Sequence, residues 1–219
     1  MDKELRLWAI NVDLFRKCFA APPELAQTLR EVTNTVTPAV PKKRVGGLLS
    51  VLGPLMRTPL NAPVIRPGIP NNVDAEAMMT SRYIAADRLS ACWTLARSWL
   101  DHLALAQISL PLPVSQLEEL EFDLVRAGVS TQLSIRRLWL HSIDIPLRPI
   151  DPMTIGFMDH ATVLRLVDEW TNALPEFEEG TVEFATQVLE FAKAYPQYAD
   201  QASTTGSPPP DLIAWWTAR

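Results

Sequence analysis

Leu5-Arg6-Leu7-Trp8-Ala9-Ile10-Asn11-Val12 is a short run of apolar, β-compatible residues, followed by Asp13, which suits a helix N-cap. It reads as a strand buried on both faces. At the other end of the chain, Leu212-Ile213-Ala214-Trp215-Trp216 is a second strand candidate. Adjacent strand residues face opposite ways, so Trp215 and Trp216 cannot both enter one core. One of them requires a helix on the far face, or a partner. Two strands alone are marginal in water. The third segment is expected at Ile135 to Leu147, where Trp139, Ile143, Ile145 and Leu147 partly alternate with polar residues. The reading is an α+β domain: a small sheet, including the N- and C-terminal strands, covered by four or more helices.

The helices follow from 3.6-residue periodicity. From Leu14 to about Val36 the pattern is helical, broken at Pro22-Pro23, with Leu25, Leu29 and Val32 beyond the break. Asp87 is expected to cap a helix whose apolar stripe is Leu89, Cys92, Trp93, Ala96, Trp99, Leu100 and Leu103. Ser115 and Glu118 have capping-box spacing ahead of Leu120 and Leu124, with Gly128 as the stop. Asp159 caps a helix burying Val163, Leu164, Val167, Trp170 and Leu174. A last helix runs from about Thr181 to Tyr195, and Ser203 to Pro210 is a polar turn.

Residues 37–72 break this order. Seven of the 19 prolines and four of the 8 glycines fall there. A connection this long within one domain is uncommon and usually functional. The chain therefore reads as a single domain over 1–219 with an irregular arm or lid at about 37–72.

Composition excludes several classes. With 219 residues, 47% hydrophobic and 21% charged, the chain has ample material for a core. No apolar run reaches the roughly 18 residues of a membrane span, and the polar start Met1-Asp2-Lys3-Glu4 is unlike a signal peptide. Two cysteines, Cys18 and Cys92, form no framework, which suits a reduced cytoplasmic protein. Residues 1–70 carry ten Lys/Arg against five Asp/Glu, and the remainder ten against twenty. That acidic bulk argues against general nucleic-acid binding. Lys42-Lys43-Arg44 is the one basic cluster and a candidate partner contact. Its three charges, near a glycine- and proline-broken apolar stretch, are too few for stable membrane association.

Catalytic signatures are missing. There is no GxSxG elbow, no phosphate loop, no HExxH and no CxxC pair, so neither metal nor cofactor is expected. Arg136, Arg137, His141, Asp144 and His160 are the most plausible polar groups for a ligand pocket. The acidic groups Glu118-Glu119-Glu121-Asp123 and Glu176-Glu178-Glu179-Glu183 read as solvated faces or as docking sites for a basic partner.

Gln132-Leu133-Ser134-Ile135-Arg136-Arg137-Leu138, followed by Ile143-Asp144-Ile145-Pro146, resembles a segment of the bacterial YfbM-like proteins, small α+β proteins of unknown function. The opening strand and helix, and Ile155-Gly156-Phe157 ahead of Asp159, are similar to such sequences too. The resemblance implies an α+β fold and brings no catalytic residues. The expectation is a cytoplasmic bacterial protein that binds an unnamed macromolecular partner without catalysis, in an interaction or immunity-like role. The alternative is a small-molecule-binding protein or enzyme with its pocket under the 37–72 arm.

Overall fold

Alternation along the first strand decides the architecture. In the computed structural model, which describes residues 3–37 and 68–218, β1 (Lys3–Ile10) is central. Leu5, Leu7 and Ala9 enter one core and Trp8 and Ile10 the other, all 0 or 1% exposed. Only a strand covered on both sides tolerates so continuous an apolar run. β4 (Asp211–Ala218) lies beside it in antiparallel register, Leu7 opposite Ala214 and Trp8 opposite Ile213. The sheet order is β2-β1-β4-β3, with every neighbouring pair antiparallel. The chain is an α+β protein whose N- and C-terminal strands form the middle of a four-stranded sheet.

The outer strands correct the sequence reading. They are β2 (Ala106–Pro111) and β3 (Thr154–Met158), not Ile135 to Leu147. In that segment Ser134 caps a one-turn helix, its hydroxyl accepting from Arg137 N–H. Beyond it, Asp144 takes a positive φ of 54° and Pro146 and Pro149 remove ladder donors. Ile143 and Leu147 are buried as loop anchors rather than strand residues. β2 shows the alternation properly, with Ala106, Ile108 and Leu110 on one face and Gln107 and Ser109 on the other.

Helices cover the two faces in chain order. The first face holds α1 (Val12–Lys17), α2 (Pro23–Val36), α3 (Asn72–Met79) and α4 (Leu89–Leu103). The second holds α5 (Val114–Arg126), α6 (Ile135–Leu138), α7 (His160–Ala173), α8 (Glu179–Lys193) and α9 (Tyr195–Thr204). Trp215 joins Trp8 and Trp93 on the first face. Trp216 turns to the second, stacks on Trp139 at 5.2 Å, and donates to the Leu112 carbonyl. Both tryptophans are therefore covered from within the chain.

Several expected caps are replaced. Asn11, in extended backbone, accepts from Leu14 N–H and starts α1, while Asp13 sits inside the first turn and pairs with Arg16. α4 grows from a 3₁₀ turn at Ala86–Arg88, so Asp87 does not cap it. Pro113 leads α5 directly, and neither Ser115 nor Glu118 forms a capping box. The capping box lies instead at α3, between Asn71 and Asp74. Asp159 does cap α7, through Thr162 N–H, and Gly128 ends α5 at φ 73°. Leu164 lies at the outer side of α7 rather than in its stripe. Pro196 opens α9 in its first turn, extending helix where the sequence reading ended it near Tyr195.

Close packing demands one glycine. A Cβ on Gly156 of β3 would lie 2.0 Å from the Leu138 carbonyl oxygen at the end of α6. The missing side chain lets α6 rest on the sheet and fixes where the following loop begins.

Candidate functional site

The loop from Trp139 to Met153 joins α6 to β3 and is held from the first face. Arg16 of α1 donates through Nε to the Ile143 carbonyl at 2.7 Å, and Trp93 of α4 donates through Nε1 to the Arg148 carbonyl at 2.8 Å. Ile143, Leu147 and Met153 enter the core beneath. Between loop and sheet lies a cavity of about 350 Å³, lined by Trp93, Ile155 and the loop residues 142–149. Its lining includes apolar Trp93, Leu147 and Ile155 together with charged Asp144 and Arg148. Such a site can take a small molecule with an apolar body and charged ends.

Two expected site residues meet here. The His141 ring stands edge-on to Phe157 at 6.2 Å, and the Arg16 guanidinium lies over the same phenyl at 5.4 Å. Arg16 pairs with Asp13 at 2.8 Å and more distantly with Asp144 at 3.7 Å. The other expected residues stand apart. Arg136 is exposed on α6, 3.8 Å from Glu118, and its backbone N–H donates to Glu121. Arg137 is part-buried, and its Nε has no hydrogen-bond partner among the described residues. Lys42, Lys43 and Arg44, with nearly all of the 37–72 arm, lie outside the described residues.

His160 belongs to a structural junction. Its Nδ1 lies 3.1 Å from the Pro210 carbonyl and its ring against Tyr195. The Tyr195 hydroxyl donates to the Asp211 carbonyl, and the Asp211 carboxylate accepts from Val12 N–H. One carboxylate thus ties the end of β1 to the start of β4. Burial pushes the Asp211 carboxyl above its usual range, against the pull of the Val12 and His160 amides. Tyr195, fully buried, is held well above an ordinary phenol.

The second face carries a different surface. Asp123 of α5 is buried; it accepts from Glu178 N–H at 3.1 Å and from the Thr181 hydroxyl, and pairs with Arg126 at 2.8 Å. This clamp sets the start of α8 beside α5 and merges the two acidic groups. A Cβ on Gly180 would lie 3.7 Å from the Glu119 carboxylate, and Arg126 reaches Glu178 at 2.8 Å. Along α5, Val114, Phe122 and Val125 are exposed, at 43, 64 and 65%, beside Glu118 and Glu119. Phe122 and Val125 escaped the sequence reading, which followed the buried stripe. Their signal was angular, since Phe122 stands two residues past Leu120 and so on the opposite side of the helix.

Among the described residues no three His, Cys, Asp or Glu side chains could hold a metal ion. Cys18 and Cys92 are free and buried, and burial pushes both thiols up to about 12, which favours the protonated form. No helix among the described residues is long and apolar enough to cross a membrane. Comparison of the chain with protein-family models, with curated proteins and with solved structures finds no match to any of them.

Proposed function

We propose that the chain is a non-catalytic protein-binding protein that docks a basic, apolar-faced segment of a partner protein against α5. The observation that carries this reading is the exposed strip Val114, Phe122 and Val125, bordered by the carboxylates of α5 and of the start of α8. Exposed apolar side chains gathered on one helix face mark interaction surfaces more often than scattered ones do. The flanking negative charge selects a cationic partner and repels an anionic one. Glu119 and Glu179 have no ion-pair partner among the described residues, so much of that charge remains available. The same acidity opposes general nucleic-acid binding. The reading includes a cytoplasmic setting, where the two thiols stay reduced, and no stable membrane association. A bacterial interaction or immunity-like role fits, and the YfbM-like wording at 132–146 belongs to the same reading.

The test is binding of a synthetic amphipathic helix of leucine and lysine, with a leucine–glutamate helix as control, read by amide chemical shifts. Saturable binding of the basic helix should perturb α5 and weaken at least about tenfold in Phe122→Ser and in the double charge reversal Glu118→Lys with Glu119→Lys. Equal binding by wild type and variants, or none of the basic helix at millimolar concentration, removes the proposal.

A further inference from the structure

We infer that the cavity beneath the loop 142–149 is a binding site for a small zwitterion with an apolar body, the chemistry of an α-amino acid with an aliphatic side chain. The site is distinct from the α5 surface, since the cavity is lined by residues of the first face and the surface belongs to the second. At about 350 Å³ it lies at the small end of ligand cavities. Its lining is preformed, because the loop is fastened at Ile143 and Arg148 by hydrogen bonds from α1 and α4 and by the burial of Ile143 and Leu147.

The charged lining determines the ligand class. Arg148 spends its backbone carbonyl on Trp93, while its exposed guanidinium has no hydrogen-bond or ion-pair partner among the described residues. A guanidinium in that state suits a carboxylate, which it binds through two parallel N–H groups. Asp144, also in the lining, is only partly neutralised. Arg16 stands 3.7 Å from it but 2.8 Å from Asp13, and so is engaged chiefly by the latter. The residual negative charge disfavours a simple anion and favours a ligand that also carries an ammonium. Ile145, Pro146 and Ile155, which keep surface open, provide the apolar contact for the ligand's body, and Trp93 and Leu147, each 2% exposed, form the packed floor beneath them. Asp144 holds a left-handed backbone conformation, φ 54°, and Ser142 Oγ accepts its N–H at 3.1 Å. A non-glycine residue in that region is retained where the surrounding structure over-determines it, as binding loops often do.

The experiment is calorimetric titration of the intact protein with L-leucine, with 4-methylpentanoate, which lacks the ammonium, and with isoamylamine, which lacks the carboxylate. Leucine should bind saturably, and each truncated analogue at least about tenfold more weakly. Arg148→Gln should weaken leucine and the acid while leaving the amine unchanged. Asp144→Asn should weaken leucine and the amine while leaving the acid as tight or tighter. Both positions are exposed, and the analogue series on the wild-type protein needs no variant at all. No saturable leucine binding at about 10 mM overturns the inference. So does an acid or an amine that binds as tightly as leucine, because the paired charges would then have no role. Neither result bears on binding of the basic helix at α5.

Discussion

The two faces of the sheet are covered mainly by different segments of the chain and solve the same problem with different material. The first face, covered by residues 12–36 and 72–103 together with Ile143, Leu147 and Met153, is packed with Trp8, Trp93, Trp99, Trp215, Phe15 and Phe19, and holds both cysteines. The second, covered by residues 114–204, is largely leucine and alanine, with Phe184, Phe191 and Tyr195, around a single fully buried tryptophan, Trp170. Each face also contains one buried aspartate that locks a helix start. On the first face Asp74 closes the capping box of α3 and receives two hydrogen bonds from Arg88, which also donates to the Ile69 carbonyl. On the second, Asp123 fastens α8 to α5. Large rings leave fewer but deeper holes when removed; aliphatic packing distributes the same loss over many contacts. The sheet separates the two systems, so substitutions on opposite faces are expected to add.

The largest effect should come from removing one tryptophan on each face. Trp99 and Trp170 are both 0% exposed, with Nε1 donating to Thr33 Oγ1 and to the Leu133 carbonyl respectively. Trp99→Ala and Trp170→Ala should each cost about 3–5 kcal/mol, measured by urea denaturation. If the faces are independent, the double variant should lose the sum to within about 0.5 kcal/mol, and a marginal fold would not survive it. A large coupling energy would break the comparison.

The aspartates come next. Removing one partner of a buried charge pair costs about 3–5 kcal/mol. Asp74→Ala should reach the lower part of that range, because it removes both carboxylate hydrogen bonds from a guanidinium whose side chain is only 10% exposed, while Arg88 keeps its bond to the Ile69 carbonyl. Asp123→Ala should cost less, because Arg126 is 39% exposed and keeps its contact with Glu178. Native-state hydrogen exchange checks both: Asp74→Ala should free the amides of α3, and Asp123→Ala those of the first turn of α8. The same set of amides freed by both would show one cooperative unit rather than two.

The smallest effect concerns Asp211, where the faces meet. Burial raises its native pKa above the unfolded value. Between those two values the native state binds more protons than the unfolded state, so this group's contribution to stability is fully present below the unfolded pKa. It is lost as pH rises through the native pKa. Asp211→Asn should therefore flatten the fall in stability on going from acid toward neutral pH. Melting temperatures across that window measure it. An unchanged slope would assign the pH dependence to other carboxylates and leave the junction indifferent to charge.

Local chemistry made much of this protein legible. The two terminal strands, the α4 stripe from Leu89 to Leu103, the Asp159 cap and the Gly128 stop all depend on neighbours within one or two turns, and each follows from spacing alone. The opposite destinations of Trp215 and Trp216 follow equally from the period of a strand. Other features depend on groups far away in the chain. Thr154–Met158 becomes a strand because β4 offers it a ladder and because Gly156 admits the end of α6. Ile135 to Leu147 has a similar composition, and is excluded from the sheet by a serine cap, a proline and a left-handed aspartate. The candidate sites divide in the same way. His141 and Asp144 were legible as polar groups, but only the fold gathers them around Phe157 and Arg16, and sends His160 to the far junction with Tyr195. Two acidic runs some 55 residues apart became one surface because Asp123 reaches across to Glu178. Period and capping are properties of contiguous backbone. Clefts and charged faces are properties of which segments the core brings together, and no local pattern carries that information.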